Sequence, residues 1–515
     1  MTLLKNSRFI IILLILSVII LALITLNIEP ANDNGINDNE NNDNNEPVIL
    51  TWVTAWPVPD ANKDFNTSSI NMLLEEMDIN IRVEFVEIEW LDLYQDLSIY
   101  LSNGGKADII SGLISLSRGR PHGVTNAHKF AYQNEWITPF ESFIDSEDGK
   151  TIYETFNDAY WDALRINGQI NGILTLGSGI TEAGAILTKK DIINEENLPM
   201  GLDADLMKWK PLISNLRNQG FSYPIVFNMS LPQVTSFLGY MPIDGGVAID
   251  PLRGAINLFE DEVFINFINQ ARSLVIDGYA PPTIDEHWKY WDKSPISVSG
   301  FAIPGIFEYI DYYKEYNIFY TTEPQVMSNN TALFISSASK YPNEAIKLLS
   351  LALTDVNVAD AIVYGTEGVH YERIDGRVVP LNQYDSSWYL GLHYFCSPAF
   401  DEAINKREIF MNHINSATTG PLTGFTFDSR GWEDTILEFN IIIDNLIRRV
   451  TQAIENPFTG ETSYNYEETG ILLGMIADWE PRINKAIIDL KSSGMDNFLA
   501  EVNRQFDEWK RLHQR

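Results

Sequence analysis

From residue 48 onward the apolar positions follow two alternating periods. Val48 to Trp56 is a nearly continuous apolar run that predicts a buried strand, while Ile79, Ile81, Val83 and Phe85 alternate with polar neighbours through Glu89. Between them, from Ser68 to Met77, Ile70, Leu73, Leu74 and Met77 share one helical face. A second stripe, Leu91, Tyr94, Leu97 and Leu101, stops at Gly104, and Asp108-Ile109-Ile110 reads as a short buried strand ending at Ser111-Gly112. Strand, helix, strand, helix, strand is the pattern of a parallel α/β sheet, whose ligand crevice lies outside the carboxyl ends of the strands. Trp56, Trp90 and Gly112 fall near such ends and are candidate ligand-binding positions.

A second α/β stretch begins near Ile173, with strands at Ala185 to Thr188 and Tyr223 to Phe227 around a helix from Asp205 to Asn218. Phe264, Ile268, Ala271 and Val275 define a helix stopped by Gly278. Helices are then expected at Tyr341 to Leu353, Glu433 to Ile454, and a final one with Phe498, Val502, Phe506 and Trp509 on one face. One hairpin signal interrupts them, Val369 to Ile374 and Arg377 to Leu381 around Asp375-Gly376. No internal repeat is evident.

The first 47 residues are different in kind. Lys5 and Arg8 precede Phe9 to Leu26, in which 16 of 18 residues are apolar. As a helix this run spans about 27 Å, enough to enter or cross a hydrocarbon core of roughly 30 Å. It reads as a signal or a membrane anchor over residues 1–26; the lack of a small-x-small cleavage site and of a nearby lipid-accepting cysteine favours retention. The basic flank orients the rest of the chain outward, to the cell surface on the extracellular side of the cytoplasmic membrane. Residues 27–47 are rich in Asn and acidic residues and read as a disordered tether. No register of this stretch supplies both the Gly and the bidentate Glu of a calcium loop.

Charge narrows the function classes. The 515 residues carry 36 Lys and Arg against 70 Asp and Glu, a formal charge of −34, and the anchor and tether account for little of it. Such a surface repels a polyphosphate, which excludes nucleic acid as a partner. A single cysteine, Cys396, excludes an internal disulfide and a cysteine-based metal site, and is read as a small buried hydrophobe. No His-Glu-x-x-His, Gly-x-Ser-x-Gly or phosphate-loop string occurs, so no catalytic residue, metal ligand or cofactor is assigned. Paired carboxylates carry no signal among 70 acidic residues.

Several local strings, in order, make the chain resemble the family 1 extracellular solute-binding proteins of ABC importers, in particular large lipoprotein-type members with an extended C-terminal region. They include Leu50-Thr51-Trp52, Ser102 to Asp108, Trp161 to Gly168, Leu187 to Asp191 and Ser336 to Pro342. Tyr364 to Tyr371, Trp388-Tyr389-Leu390-Gly391, Gly424 to Asp428 and Gln505 to Trp509 follow. The resemblance covers residues 48 to 515 and departs from the family at the missing lipid-bearing cysteine and at Leu392, where Asn is expected. It implies a two-lobed, type II periplasmic-binding-protein-like α/β fold with a helical C-terminal extension. Lobe I is expected from 48–172 with about 328–395, and lobe II from 173–327 with about 396–515. It further implies a small-molecule solute, an oligosaccharide by preference, clamped between the lobes and passed to an ABC transporter permease, with no covalent chemistry.

A sugar presents an apolar C–H face and a rim of hydroxyls, so its site needs aromatic platforms beside amide or charged groups. Trp288-Lys289-Tyr290-Trp291 is the densest aromatic cluster, and Trp288, Trp291, Trp388 and Tyr389 join the candidate ligand-binding residues. The competing reading for any Trp is packing, and it is preferred for Trp161 and Trp509, which lie on helical faces. His370 is read as a structural histidine at a hairpin start. Two other functions stay open at this stage, an anchored glycan hydrolase and a solute-binding adaptor for a membrane sensor kinase.

Overall fold

The computed structural model describes residues 46–54, 69–88, 93–114, 127–174, 181–194, 198, 205–229, 231–282, 287, 289–302, 311–321, 325–326, 331–381, 392–416, 419–447, 449–455, 462–467 and 479–513. Residues 47–515 form one compact unit. The expected anchor, Phe9 to Leu26, and most of the tether lie outside the described residues; among those described, no helix is long and apolar enough to cross a membrane.

Among the described residues, ten strands build the two larger sheets. In chain order they are β1 (Val48–Thr54), β2 (Ile81–Glu87), β3 (Ile109–Ile114), β4 (Ile173–Leu174), β5 (Thr181–Lys189), β6 (Ile225–Asn228), β7 (Ile296–Ala302), β8 (Tyr316–Tyr320), β9 (Gln325–Val326) and β10 (Thr331–Ile335). The first sheet runs β2-β1-β3-β10-β4, with β1 parallel to both neighbours and β10 antiparallel to β3 and β4. The second runs β8-β5-β7-β6 with β9 also on β5; only the β6–β7 pair is parallel.

β1 is a continuous apolar run because it is flanked on both sides and covered on both faces, so Leu50 and Trp52 are fully buried. Side chains stitch its surroundings where helices must stop. Buried Asp108 accepts the Thr51 amide at 2.8 Å and the Ser339 hydroxyl at 2.5 Å, tying the entrance of β3 to β1 and to the loop after β10. Asn71 makes both amide bonds to Val83, which docks the Ser69–Glu76 helix onto β2. The Asp375-Gly376 hairpin forms as expected, with both residues at positive φ.

The two sheets are joined by paired crossings. β4 leads into β5 and β9 into β10; Leu174 pairs with Ala332 in the first sheet, while Thr181 pairs with Val326 in the second. A third crossing follows the Lys406–Ser416 helix. That helix places Phe410 and Ile414 in the first core, so this core extends beyond residue 395, whereas Leu422, Phe425 and the C-terminal helices belong to the second. β5 serves both cores by its period of two: Ala185 and Leu187 face the first, Ile186 the second.

One expected element differs. The helix starting at Glu433 ends at Ile447, and the remainder to Glu455 is a strand, Arg449–Glu455, paired antiparallel with Thr462–Glu467. The apolar spacing continues a helical period, but Val450 is in register with Tyr466 and Ala453 with Tyr464, and pairing overrides the period.

A buried charge network lies at the rim of the first core. Lys406, buried on the Lys406–Ser416 helix, reaches Glu402 at 2.8 Å, and Glu402 also lies 3.0 Å from His393 Nε2. Burial opposes ionisation of Glu402, but the His393 hydrogen bond and the Lys406 ammonium hold its pKa at about 2. Burial pushes the neighbouring Cys396 thiol up to about 12, so it is an inert packing residue, as expected. Leu392, the departure from the family pattern, is fully buried in the same core. Replacing Lys406 with Met should cost about 3 to 5 kcal/mol, because the buried Glu402 carboxylate loses its ammonium partner. Chemical denaturation checks this; a loss below about 1 kcal/mol contradicts it.

Candidate functional site

A cavity of about 570 Å³ opens between elements of the two cores. From the side of the first sheet come the Ala127–Gln133 helix, whose Ala131 packs with Val53, Ile110 and Phe334 in a smaller cluster, and the tip of the Arg165–Ile170 hairpin of the first core; from the second core come Gly424 to Asp428 and the C-terminal helix, Met495–His513. Its volume is that of a small-molecule site.

Each wall is fixed by its own sequence. The hairpin turns at Asn167 and Gly168, both at positive φ, and Asn167 donates to the Tyr132 hydroxyl at 2.9 Å, which joins hairpin to helix. Gly424 is at φ +84, and a Cβ there would sit 2.8 Å from the Asp162 carbonyl oxygen, so the third crossing can approach the Asp158–Ala163 helix only through glycine. Beyond it, the Gln505 side chain accepts the Asp428 amide at 2.8 Å and donates to its carbonyl at 2.9 Å, imitating a strand partner and holding Gly424 to Asp428 against the C-terminal helix.

Two residues one helical turn apart reach across the cavity. Lys129 places its ammonium 3.4 Å from Asp244 and 5.1 Å from the centre of the Phe427 ring. Gln133 donates to Asp428 Oδ1 at 3.0 Å. Burial raises the Asp428 pKa, but hydrogen bonds from Arg430 and Gln133 outweigh it and hold the carboxyl below its usual range. Arg165 pairs with Glu141 at 3.1 Å, and Arg504 with Glu501 at 2.7 Å and Glu508 at 3.1 Å. Trp509 stacks on Phe506 at 5.9 Å and meets the edge of Phe425 at 5.7 Å. The lining thus sets aromatic surface beside amides and paired ions, an arrangement suited to hydroxyl groups over C–H faces. Among the described residues no group of His, Cys, Asp and Glu is placed to hold a metal ion.

The residues singled out for ligand binding fare unevenly. Trp56, Trp90, Trp288, Trp388 and Tyr389 lie outside the described residues. Gly112 is within β3, near its carboxyl end. Trp291 is half-buried in the turn before β7, and its carbonyl accepts from Ser297 at 3.4 Å. The register of β7 on β5 puts that turn at the end of the second sheet away from the crossing strands. Trp161 is a packing residue as expected, stacked on Phe140 and Tyr153. Trp509 packs as expected and also lines the cavity. His370 is structural: its Nδ1 accepts the Thr366 amide at 3.0 Å.

A buried histidine lies just ahead of the Lys289 to Trp291 segment. His287 Nδ1 accepts the Phe227 amide of β6 at 3.0 Å, and burial lowers its pKa from 6.5 to about 4. A base whose pKa falls on folding contributes stability that is present above pH 6.5 and lost as pH falls towards 4. The loss attributable to His287 should be about 3 kcal/mol across that window. Asn in its place can still accept the Phe227 amide without titrating, so H287N should flatten the profile. Urea denaturation of both proteins from pH 4 to pH 7 checks this, and identical slopes contradict it.

Residues 461–511 match a family model described as a domain of unknown function, DUF3502. A carbohydrate ABC transporter substrate-binding protein of Streptococcus pneumoniae is 20% identical over 482 residues, 88% of this chain and 89% of that protein. Among solved structures, the N-glycan transport solute binding protein of Streptococcus pneumoniae has a TM-score of 0.63 at 16% identity, covering 90% of this chain and 99% of its own. A solute binding protein from Bifidobacterium longum infantis, described as HMO-binding and ABC-transporter-associated, has a TM-score of 0.54 at 12% identity, covering 90% and 99%. These relatives are binding proteins of transporters and not enzymes, in agreement with the missing catalytic signatures. The chain has the two-lobed α/β fold of the extracellular solute-binding proteins, as its sequence resemblance implies.

Proposed function

We propose that this protein captures an oligosaccharide between its two lobes and delivers it to an ABC transporter permease. The carrying observation is the cavity itself, walled by both cores and lined by aromatic, amide and ion-paired side chains. The relatives named above, one carbohydrate-specific and one glycan-specific by description, support the same solute class. Closure uses the paired crossings as a hinge: Lys129 and Gln133 meet Asp244 and Asp428 when the lobes approach. The lobes divide in our reading after residue 172 and near 328, with the third crossing returning the chain to the second lobe. Trp56 and Trp90, which follow β1 and β2 in the chain, are kept as ligand-binding candidates. The run Phe9 to Leu26 holds the protein at the outer face of the cytoplasmic membrane.

Binding is expected at micromolar affinity or better, about −8 kcal/mol, with full recovery of the ligand. A thermal-shift screen of oligosaccharides, followed by calorimetry and chromatography of the bound sugar, tests this. A stable protein with no shift from any saccharide contradicts it. Tyr132, half-buried on the cavity wall, is the most separable contact. Tyr132→Ala should cost about 1 kcal/mol or more in affinity while leaving the ligand-free melting transition near native. Unchanged affinity removes Tyr132 from the site.

A further inference from the structure

We infer that the cavity selects uncharged saccharides over anionic ones, and that the C-terminal helix enforces this choice. The inference rests on the proposed solute-binding role and names the ligand class within it. Three cationic side chains line the cavity among the described residues, and each is already committed to a carboxylate. Lys129 faces Asp244 at 3.4 Å; Arg165 faces Glu141 at 3.1 Å and Asp162 at 3.5 Å; Arg504 is held between Glu501 at 2.7 Å and Glu508 at 3.1 Å. The remaining carboxylate of the lining, Asp428, is met by Arg430 from outside the cavity.

A uronate, sialate or sulfate needs a cation whose charge is not already opposed, because it binds by bidentate, charge-assisted hydrogen bonds. Here it would have to displace a carboxylate or lie beside one, on a protein whose formal charge is −34. A neutral sugar meets no such conflict. Its hydroxyls donate to the free lone pairs of Glu508 and accept from the N–H groups that Arg165 and Arg504 do not spend on their partners. Arg504 and Glu508 lie on the same helix as Gln505 and Trp509, within the segment that matches the domain of unknown function, so the inference assigns that segment a part in ligand choice.

The test is calorimetric titration of the full chain against two panels of matched size. The neutral panel is mannotriose, maltotriose, xylotriose and an asialo biantennary N-glycan; the acidic panel is trigalacturonate, sialyllactose and the sialylated form of that N-glycan. Binding confined to the neutral panel, or at least tenfold tighter there at low salt with a gap that narrows as salt rises, supports the inference. An acidic sugar that binds as tightly as the best neutral one overturns it while leaving the solute-binding reading intact. No binding in either panel overturns both. A double variant, Glu501→Gln with Glu508→Gln, releases Arg504 at an exposed part of the helix. It should raise the ratio of acidic to neutral affinity at least threefold. An unchanged ratio removes the C-terminal helix from ligand choice.

Discussion

Everything in this structure depends on two antiparallel strand pairs at which the chain leaves one sheet and enters the other. Leu174 is bonded to Ala332 on one side and Thr181 to Val326 on the other, so both links leave and enter at adjacent points. Two separate cores can then face each other across a gap without either being torn open, since β5 presents Ala185 and Leu187 to one and Ile186 to the other. The third crossing adds a constraint of its own. Gly424 passes so close to the Asp162 carbonyl that any side chain there must push the crossing away, and the cavity wall from Phe425 to Asp428 with it.

Much of the fold was legible in the apolar pattern. The βαβ run from β1 to β3, the Asp375-Gly376 hairpin and the amphipathic C-terminal helix carry strong local periods and form where those periods put them. The strand after Ile447 was not legible, because its fate is decided by a partner that lies at Thr462 to Glu467 and not by its own spacing. The same holds for the reach of the first core to Ile414, which depends on how the Lys406–Ser416 helix returns across it.

The site was legible in a different way. Aromatic density points to Trp288 and Trp291, but the register of β7 puts Trp291 at the end of the second sheet away from the crossings. The described cavity draws instead on Arg165 and Asn167, Phe425 and Asp428, Gln505 and Trp509. These fall within three of the strings that carry the family resemblance, Trp161 to Gly168, Gly424 to Asp428 and Gln505 to Trp509. Their convergence is a property of the tertiary fold: Asp428 and Gln505 are 77 residues apart, the hairpin lies further off still, and the three share no periodicity. Composition could not find them, because the useful groups are ordinary amides and paired ions whose meaning comes from what stands opposite.

A cavity whose walls come from both cores makes a demand that no single-lobe site makes: one ligand must quiet both walls together. Hydrogen exchange with and without a saturating neutral oligosaccharide is the most direct measurement of it. Binding between the lobes slows exchange in the Ala127–Gln133 helix, the Arg165–Ile170 hairpin and the last turns of the C-terminal helix in parallel. Protection confined to one lobe, or to a surface away from these three elements, contradicts an interlobe site.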